Sequence, residues 1–378
     1  MKSWLYVIIA AVVAFLGYKL WFAPEEDVGE TTVPRIRIPV EADRPAPDQP
    51  DPASNGSGRS LEFGPVDGPD GVGGALDRPA RDEAAWSLLE KHDTAVREGH
   101  GSTAKGLRTQ ILKQHGESDP ARLLLFESGK AYYQRYRQLG RSKEGLEAAR
   151  DARRLMTPAL FLKDADPQEK ESLRKVLAEL TDAVLFSARH VEGVDRVHTP
   201  RSGEVLGTLR RNVFRKWGAT TTAHFIAEVN GLGSPTRMRA GELIKVPLGS
   251  PSIVVVKRAY RLYLLLDGAY VRDYPIGLGR EGSTPEAVFE IVTKVENPDW
   301  FAPNGRRVPF GDPANILGTR WMGFKNTAEH ASFGIHGTSE PDSIGKDESA
   351  GCIRMLRADV EELFRWVPRG TQVEIRRY

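Results

Sequence analysis

The chain contains a single cysteine, Cys352, and His336 lies sixteen residues before it. The surrounding strings are Phe333-Gly334-Ile335-His336-Gly337-Thr338, Ser343-Ile344-Gly345 and Ser349-Ala350-Gly351-Cys352-Ile353-Arg354-Met355. A thiolate is a strong nucleophile, but a free thiol of pKa about 8.5 is mostly protonated at neutral pH. An imidazole brought back by the intervening loop can take that proton, and an ion pair with it lowers the thiol pKa. Gly337 leaves its carbonyl open to accept the other ring N–H, which fixes the tautomer of His336. Gly351 lets the backbone come close to a substrate, as an oxyanion hole of N–H groups requires. In an extended segment Arg354 shares a face with Cys352, where it can bind a substrate carboxylate. Ser349, with Gly351 and Arg354, is expected on the substrate-binding side, where it either orients this loop or caps a turn. The chemistry of the set is acyl transfer through a thioester.

Plainer readings exist for each residue. A lone cysteine is often a small buried apolar group, a histidine a structural one, and Arg354 a surface ion-pair partner. A zinc site of His330, His336 and Cys352 lacks any recognised ligand spacing. No metal and no cofactor is expected.

The full string resembles the L,D-transpeptidase (YkuD-type) catalytic domain over residues 252–378. Thr284-Pro285 before Val288-Phe289-Glu290-Ile291, Asn297-Pro298-Asp299-Trp300, Leu317-Gly318-Thr319-Arg320-Trp321 and Gly370-Thr371-Gln372-Val373 are further landmarks of the resemblance. Two positions depart from it: Ala350 stands where a histidine is common, and Ala287 where a glycine is usual. The resemblance implies that Cys352 attacks a peptidoglycan tetrapeptide stem at its diamino acid and expels the terminal D-alanine, with His336 carrying the proton. The acyl group then passes to a second stem, to a protein amine or to water. Acylation of Cys352 by carbapenems is a further implication. The rival from another class is a non-catalytic wall-binding protein.

These side chains must be held by strands. Ile253–Val256, Arg261–Leu266, Tyr270–Ile276, Val288–Val295 and Gln372–Ile375 read as short β-runs, with Asp267-Gly268 as a hairpin turn. They predict a mainly-β domain, a β-sandwich or barrel-like fold. Upstream, residues 196–248 contain Gly203-Glu204-Val205-Leu206, Asn230-Gly231 and Gly241-Glu242-Leu243-Ile244-Lys245-Val246-Pro247. This order resembles the LysM peptidoglycan-binding module, a small βααβ unit, with an insertion near Gly218–His224 that departs from its spacing. The resemblance implies glycan as a ligand there.

Residues 81–195 carry apolar positions three and four apart, with breaks at Gly101, Ser118-Asp119-Pro120 and Asp164–Pro167. They predict an all-α region, with one long helix over Pro167–His190. The region resembles tetratricopeptide (TPR-like) hairpins without a 34-residue repeat. It is either a spacer or a surface for a protein partner.

Residues 24–80 are a linker rich in Pro, Gly and Asp, too poor in large apolar side chains to order themselves. Residues 1–23 hold an apolar run from Trp4 to Phe22, long enough for a transmembrane helix. It is a membrane anchor or a cleaved signal peptide, and either places the body outside the cytoplasm in a bacterial envelope. The charge totals, 53 basic against 51 acidic, give no reason to expect nucleic acid. One cysteine allows neither an internal disulfide nor a Cys-rich zinc site.

Overall fold

The helical pattern resolves into α1 (Glu83–Arg97), α2 (Gly101–Gln114), α3 (Asp119–Leu139), α4 (Lys143–Met156) and α5 (Pro167–Val184). Local chemistry starts most of them. Asp82, Ser118, Ser142 and Asp166 each accept a backbone N–H of the first turn, which satisfies donors that a helix start leaves bare. The computed structural model describes residues 82–302 and 305–378. The expected membrane segment over 1–23 and linker over 24–80 lie outside them. Among the described residues no helix is long and apolar enough to cross a membrane.

The long helix expected over Pro167–His190 stops at Val184. The Lys245 ammonium takes up the Val184 carbonyl at 2.7 Å and that of Ser187 at 3.1 Å. Phe186 then packs edge-on against Phe225, 6.3 Å between ring centres, and at a tilt against Trp366 at 5.9 Å. Tertiary contacts therefore end this helix where the sequence periodicity would have continued it.

Next come β1 (Asp195–His198), α6 (Leu206–Asn212), α7 (Ala223–Val229) and β2 (Ile244–Pro247), with β1 antiparallel to β2. This βααβ unit has its own core of Leu206, Leu209, Phe214, Ala219, Ile226, Ala227, Ile244 and Val246. The insertion near Gly218–His224 fastens it to its neighbours. Ala219 bridges Gly249, the Thr220 N–H donates to the Gly249 carbonyl, and the Thr222 hydroxyl donates to the Arg365 carbonyl at 2.5 Å.

The C-terminal part is β3 (Pro251–Val256), β4 (Arg261–Leu266), β5 (Ala269–Gly279), β6 (Val288–Glu296), the small hairpin β7 (Trp300–Phe301) and β8 (Arg307–Val308), then β9 (Arg320–Phe324), β10 (Gly334–His336), β11 (Asp347–Ser349), β12 (Ile353–Met355), α8 (Arg357–Trp366) and β13 (Gln372–Arg376). The sheet order is β11-β5-β12-β10-β9-β6-β13-β3-β4, and β4 also pairs with β5. The two faces of the expected sandwich are thus one continuous sheet closed on itself. Closure rests on the length of β5: its first half lies against β4, its last residues against β12 and β11. No single strand pattern reveals that double use.

The helices are part of this structure rather than a detached spacer. Tyr270 on β5 donates its N–H to the Thr157 hydroxyl at 3.0 Å, and its carbonyl accepts from the Thr181 hydroxyl at 2.9 Å. Phe161 meets Tyr263 edge to face at 5.6 Å. One apolar cluster runs from Phe126, Leu146 and Leu177 through Phe225 to Ile253, Tyr263, Ile335 and Trp366.

Candidate active site

Alternation along β10 and β12 decides which side chains meet. The strands are parallel, with Ile335 opposite Ile353 and His336 opposite Arg354. Ile335 and Ile353 are buried in the apolar core, with Met322 of β9 and Ile276 of β5. Side chains alternate along a strand, so the other face carries Gly334 and His336 of β10 with Cys352 and Arg354. The antiparallel neighbour adds Trp321 opposite His336 and Gly323 opposite Gly334. On the far side Gly277 faces Arg354.

His336 is 2 % exposed. Its Nδ1 lies 2.5 Å from the Gly337 carbonyl oxygen. A carbonyl can only accept, so Nδ1 carries the proton and Nε2 keeps a lone pair. Trp321 stacks on the ring, 5.9 Å between centres at 30°. Gly334 makes room for that indole, since a Cβ there would lie 2.8 Å from Trp321 Cη2 and 2.6 Å from the Met322 carbonyl.

Cys352 is half-buried. Its thiol donates to the Ser332 carbonyl at 3.7 Å. Ser332 stands at φ +62°, uncommon without glycine, and its N–H is held by Asn326 Oδ1 at 3.0 Å. Among the described residues no hydrogen bond joins Cys352 to His336.

Electrostatics correct the expected ion pair. Burial pushes the His336 imidazolium down to about 4, against the Gly337 hydrogen bond and with help from the Arg354 charge. Burial pushes the Cys352 thiol up, opposed by the Gly334 N–H and by Arg354. Both shifts disfavour charge. The resting pair is a neutral thiol beside a neutral imidazole, suited to proton transfer during attack rather than before it.

Ser349 and Gly351, expected to touch substrate, are used inside the turn. The Ser349 hydroxyl donates to the Cys352 carbonyl at 2.6 Å and accepts the Gly351 N–H at 3.0 Å. Their part is to shape the turn, and the Gly351 N–H is not available to an oxyanion. The backbone N–H of Cys352 itself is the next donor along the turn. Gly351 sits at φ +130°, and a Cβ would come within 2.5 Å of the Phe333 ring.

Arg354 is 7 % exposed, and its Nη1 donates to Glu340 Oε2 at 3.0 Å. His330 packs on Phe289 and Phe333, 5.7 and 6.0 Å between ring centres. Among the described residues no group of three or more His, Cys, Asp or Glu side chains could hold a metal ion.

Sequence reasoning passed over several residues that build this site. Thr284, 1 % exposed, accepts the Gly279 N–H at 2.8 Å and donates to the Gly351 carbonyl at 2.9 Å, tying the end of β5 to the cysteine turn. Its signal was the Thr-Pro pair. Trp321 also stood in a noted string, whereas Ser332 and Glu340 carry no signal of their own.

Known proteins match the same part of the chain. The family model for the L,D-transpeptidase catalytic domain, YkuD, matches residues 250–375. YqjB of Bacillus subtilis (strain 168), an L,D-transpeptidase by provisional name, is 40% identical over 130 residues, 34% of this chain and 72% of its own length. YkuD of the same organism, named with the same reserve, is 36% identical over 148 residues, 37% of this chain and 78% of its own. YcfS of Escherichia coli (strain K12), again a provisional L,D-transpeptidase, is 32% identical over 161 residues, 36% of this chain and 49% of its own. With a relative of this identity spanned over most of its length, the chain belongs to the L,D-transpeptidase family, and its YkuD-type catalytic domain occupies the last third.

Proposed function

We propose that the protein cross-links peptidoglycan by acyl transfer through Cys352. The supporting observation is the one face of the sheet on which His336 and Arg354 stand paired next to the Cys352 turn, with the imidazole tautomer fixed by Gly337. His336 Nε2 takes the thiol proton as sulfur adds to the carbonyl carbon of the diamino acid in a tetrapeptide stem. The same proton passes to the nitrogen of the departing D-alanine as the amide bond breaks and a thioester remains. An amine of a second stem attacks that thioester and loses a proton to His336, and the thiol is restored. Arg354 receives a stem carboxylate, and the Cys352 N–H meets the oxyanion. Water in place of the second amine makes the enzyme an L,D-carboxypeptidase, and a protein amine makes it a protein-anchoring enzyme.

We further propose that residues 196–248 are a LysM-like module that holds glycan. The βααβ topology and the Gly203-Glu204, Asn230-Gly231 and Gly241–Pro247 landmarks support this reading. The body works outside the cytoplasm, tethered through the apolar run of residues 1–23.

The test is incubation of the protein with purified tetrapeptide fragments, with products resolved by mass spectrometry. A dimer lacking one D-alanine, absent with Cys352→Ala, is the expected product. D-alanine loss without dimer indicates a carboxypeptidase. If no product forms and no carbapenem adduct appears on Cys352, the protein is a wall binder and the catalytic reading fails.

A further inference from the structure

Arg354 and Glu340 form an unequal pair. The guanidinium side chain is 9% exposed, the carboxylate side chain 63%. Only Glu340 Oε2 is engaged, by Arg354 Nη1 at 3.0 Å. Arg354 Nε is buried and has no hydrogen-bond partner. A guanidinium offers two planar forks that each suit two carboxylate oxygens, Nη1 with Nη2 at its end and Nε with Nη2 at its side, and Glu340 meets a single nitrogen of the first. One contact to an exposed carboxylate is weak, so the site favours a carboxylate that can fill a whole fork.

The backbone of Glu340 is fixed while its side chain is not. Its N–H donates to the Thr338 hydroxyl at 3.0 Å, and its carbonyl accepts the Ser343 N–H at 3.0 Å and the Ser343 hydroxyl at 2.7 Å. The carboxylate can swing into solvent by side-chain rotation alone, with no loop to move. Arg354 is in register with His336 and two residues beyond Cys352 on the same face. A carboxylate seated on it lies beside the reacting bond.

We propose that Glu340 is a displaceable internal counter-ion, which holds Arg354 in the resting enzyme and yields it to the C-terminal carboxylate of the donor stem. This rests on the acyl-transfer reading and deepens it: substrate competes with a residue of the enzyme for its own anchor. Because the Arg354 charge bears on both the Cys352 thiol and the His336 ring, Glu340 also tempers the field at the nucleophile. Glu340 is a positioning residue, acting through Arg354.

The test compares the wild-type full chain with Glu340→Gln and Glu340→Asp. Two donors are used, a tetrapeptide stem and the same stem amidated at its terminal carboxylate. With the acid donor, both variants lower KM about two- to fivefold, the worth of an exposed ion pair, while kcat holds. With the amide donor KM is unchanged. Without any donor, the pH midpoint of Cys352 alkylation by iodoacetamide moves to lower pH in Glu340→Gln, because Arg354 is less neutralised and favours the thiolate. An acid-donor KM that stays or rises, or equal KM changes for the two donors, overturns the proposal. A wild-type protein that releases neither D-alanine from the acid donor nor D-alaninamide from the amide donor sinks the acyl-transfer reading instead. The alkylation midpoint then still decides whether Glu340 governs the thiol through Arg354, and an unmoved midpoint refutes it.

Discussion

Two buried cations in this molecule have been given opposite kinds of partner. Lys245, 3 % exposed, lies where the βααβ unit meets the end of α5. Its ammonium donates to two backbone carbonyls and stands 3.4 Å from Asp195, whose side chain is fully buried. Asp195 in turn accepts the Val191 N–H at 3.1 Å and binds His190 Nδ1 at 2.6 Å. The Lys245 ammonium and both Asp195 oxygens are thus fully engaged. Arg354 instead has one exposed carboxylate and a spare Nε. A buried charge that is fully paired holds parts together, since opening it strands an ion in an apolar surrounding. A buried charge left partly paired is open to exchange. The first suits a joint and the second a site.

Substitutions should tell a joint from a site. Cys352→Ala should abolish acyl transfer, by at least roughly a thousandfold, with a denaturation midpoint close to wild type; a large loss of stability would mean that the site is not separable from the joint. Lys245→Met strands Asp195 and should cost about 3–5 kcal/mol in urea unfolding. A cost no larger than that of Glu340→Gln would erase the distinction between the two cations.

The folded pKa of His336, about 4, lies below its ordinary 6.5, so the unfolded chain binds the extra proton first. Stability from this group is complete above about 6.5, falls as pH drops toward 4, and levels off below, a change on the order of 3 kcal/mol. His336→Asn should flatten that portion of the stability–pH curve. Wild-type turnover should fall as pH drops through about 4, where the base becomes protonated. Ser349→Ala removes the two hydrogen bonds its hydroxyl makes in the cysteine turn and should cost about 1–3 kcal/mol, with kcat reduced more than KM is raised. The smallest effect, under about 1 kcal/mol, belongs to the stability of Glu340→Gln.

Much of the site was legible because the strings around His336 and Cys352 are dense in residues that have few other uses. The contact of the His336 ring with the Gly337 carbonyl follows from adjacency in the chain, and the shared face of Cys352 and Arg354 from strand alternation. What escaped was whatever depends on the interior. The ion pair expected of Cys352 and His336 is undone by burial, a property of the surrounding fold. Ser349 reads as a ligand-facing hydroxyl until the tightness of its turn is known. Among the elements, β3, β4, β6 and β13 could be read from apolar runs, but β10, β11 and β12, three residues each, are too short to show a period. The end of α5 at Val184 was hidden because Lys245, which caps it, comes sixty-one residues later.

The stretch matched by the catalytic-domain family model begins at residue 250, yet Tyr270 on β5 leans on Thr157 and Thr181, and Trp366 on Phe186 and Phe225. What is inherited and what melts are therefore different objects. A fragment cut at the edge of the homology would keep its reacting groups and bare an apolar flank that the upstream helices normally cover. It would be prone to stick to itself before it could be assayed. In this protein ancestry marks out the chemistry, and cooperativity draws a wider circle around it.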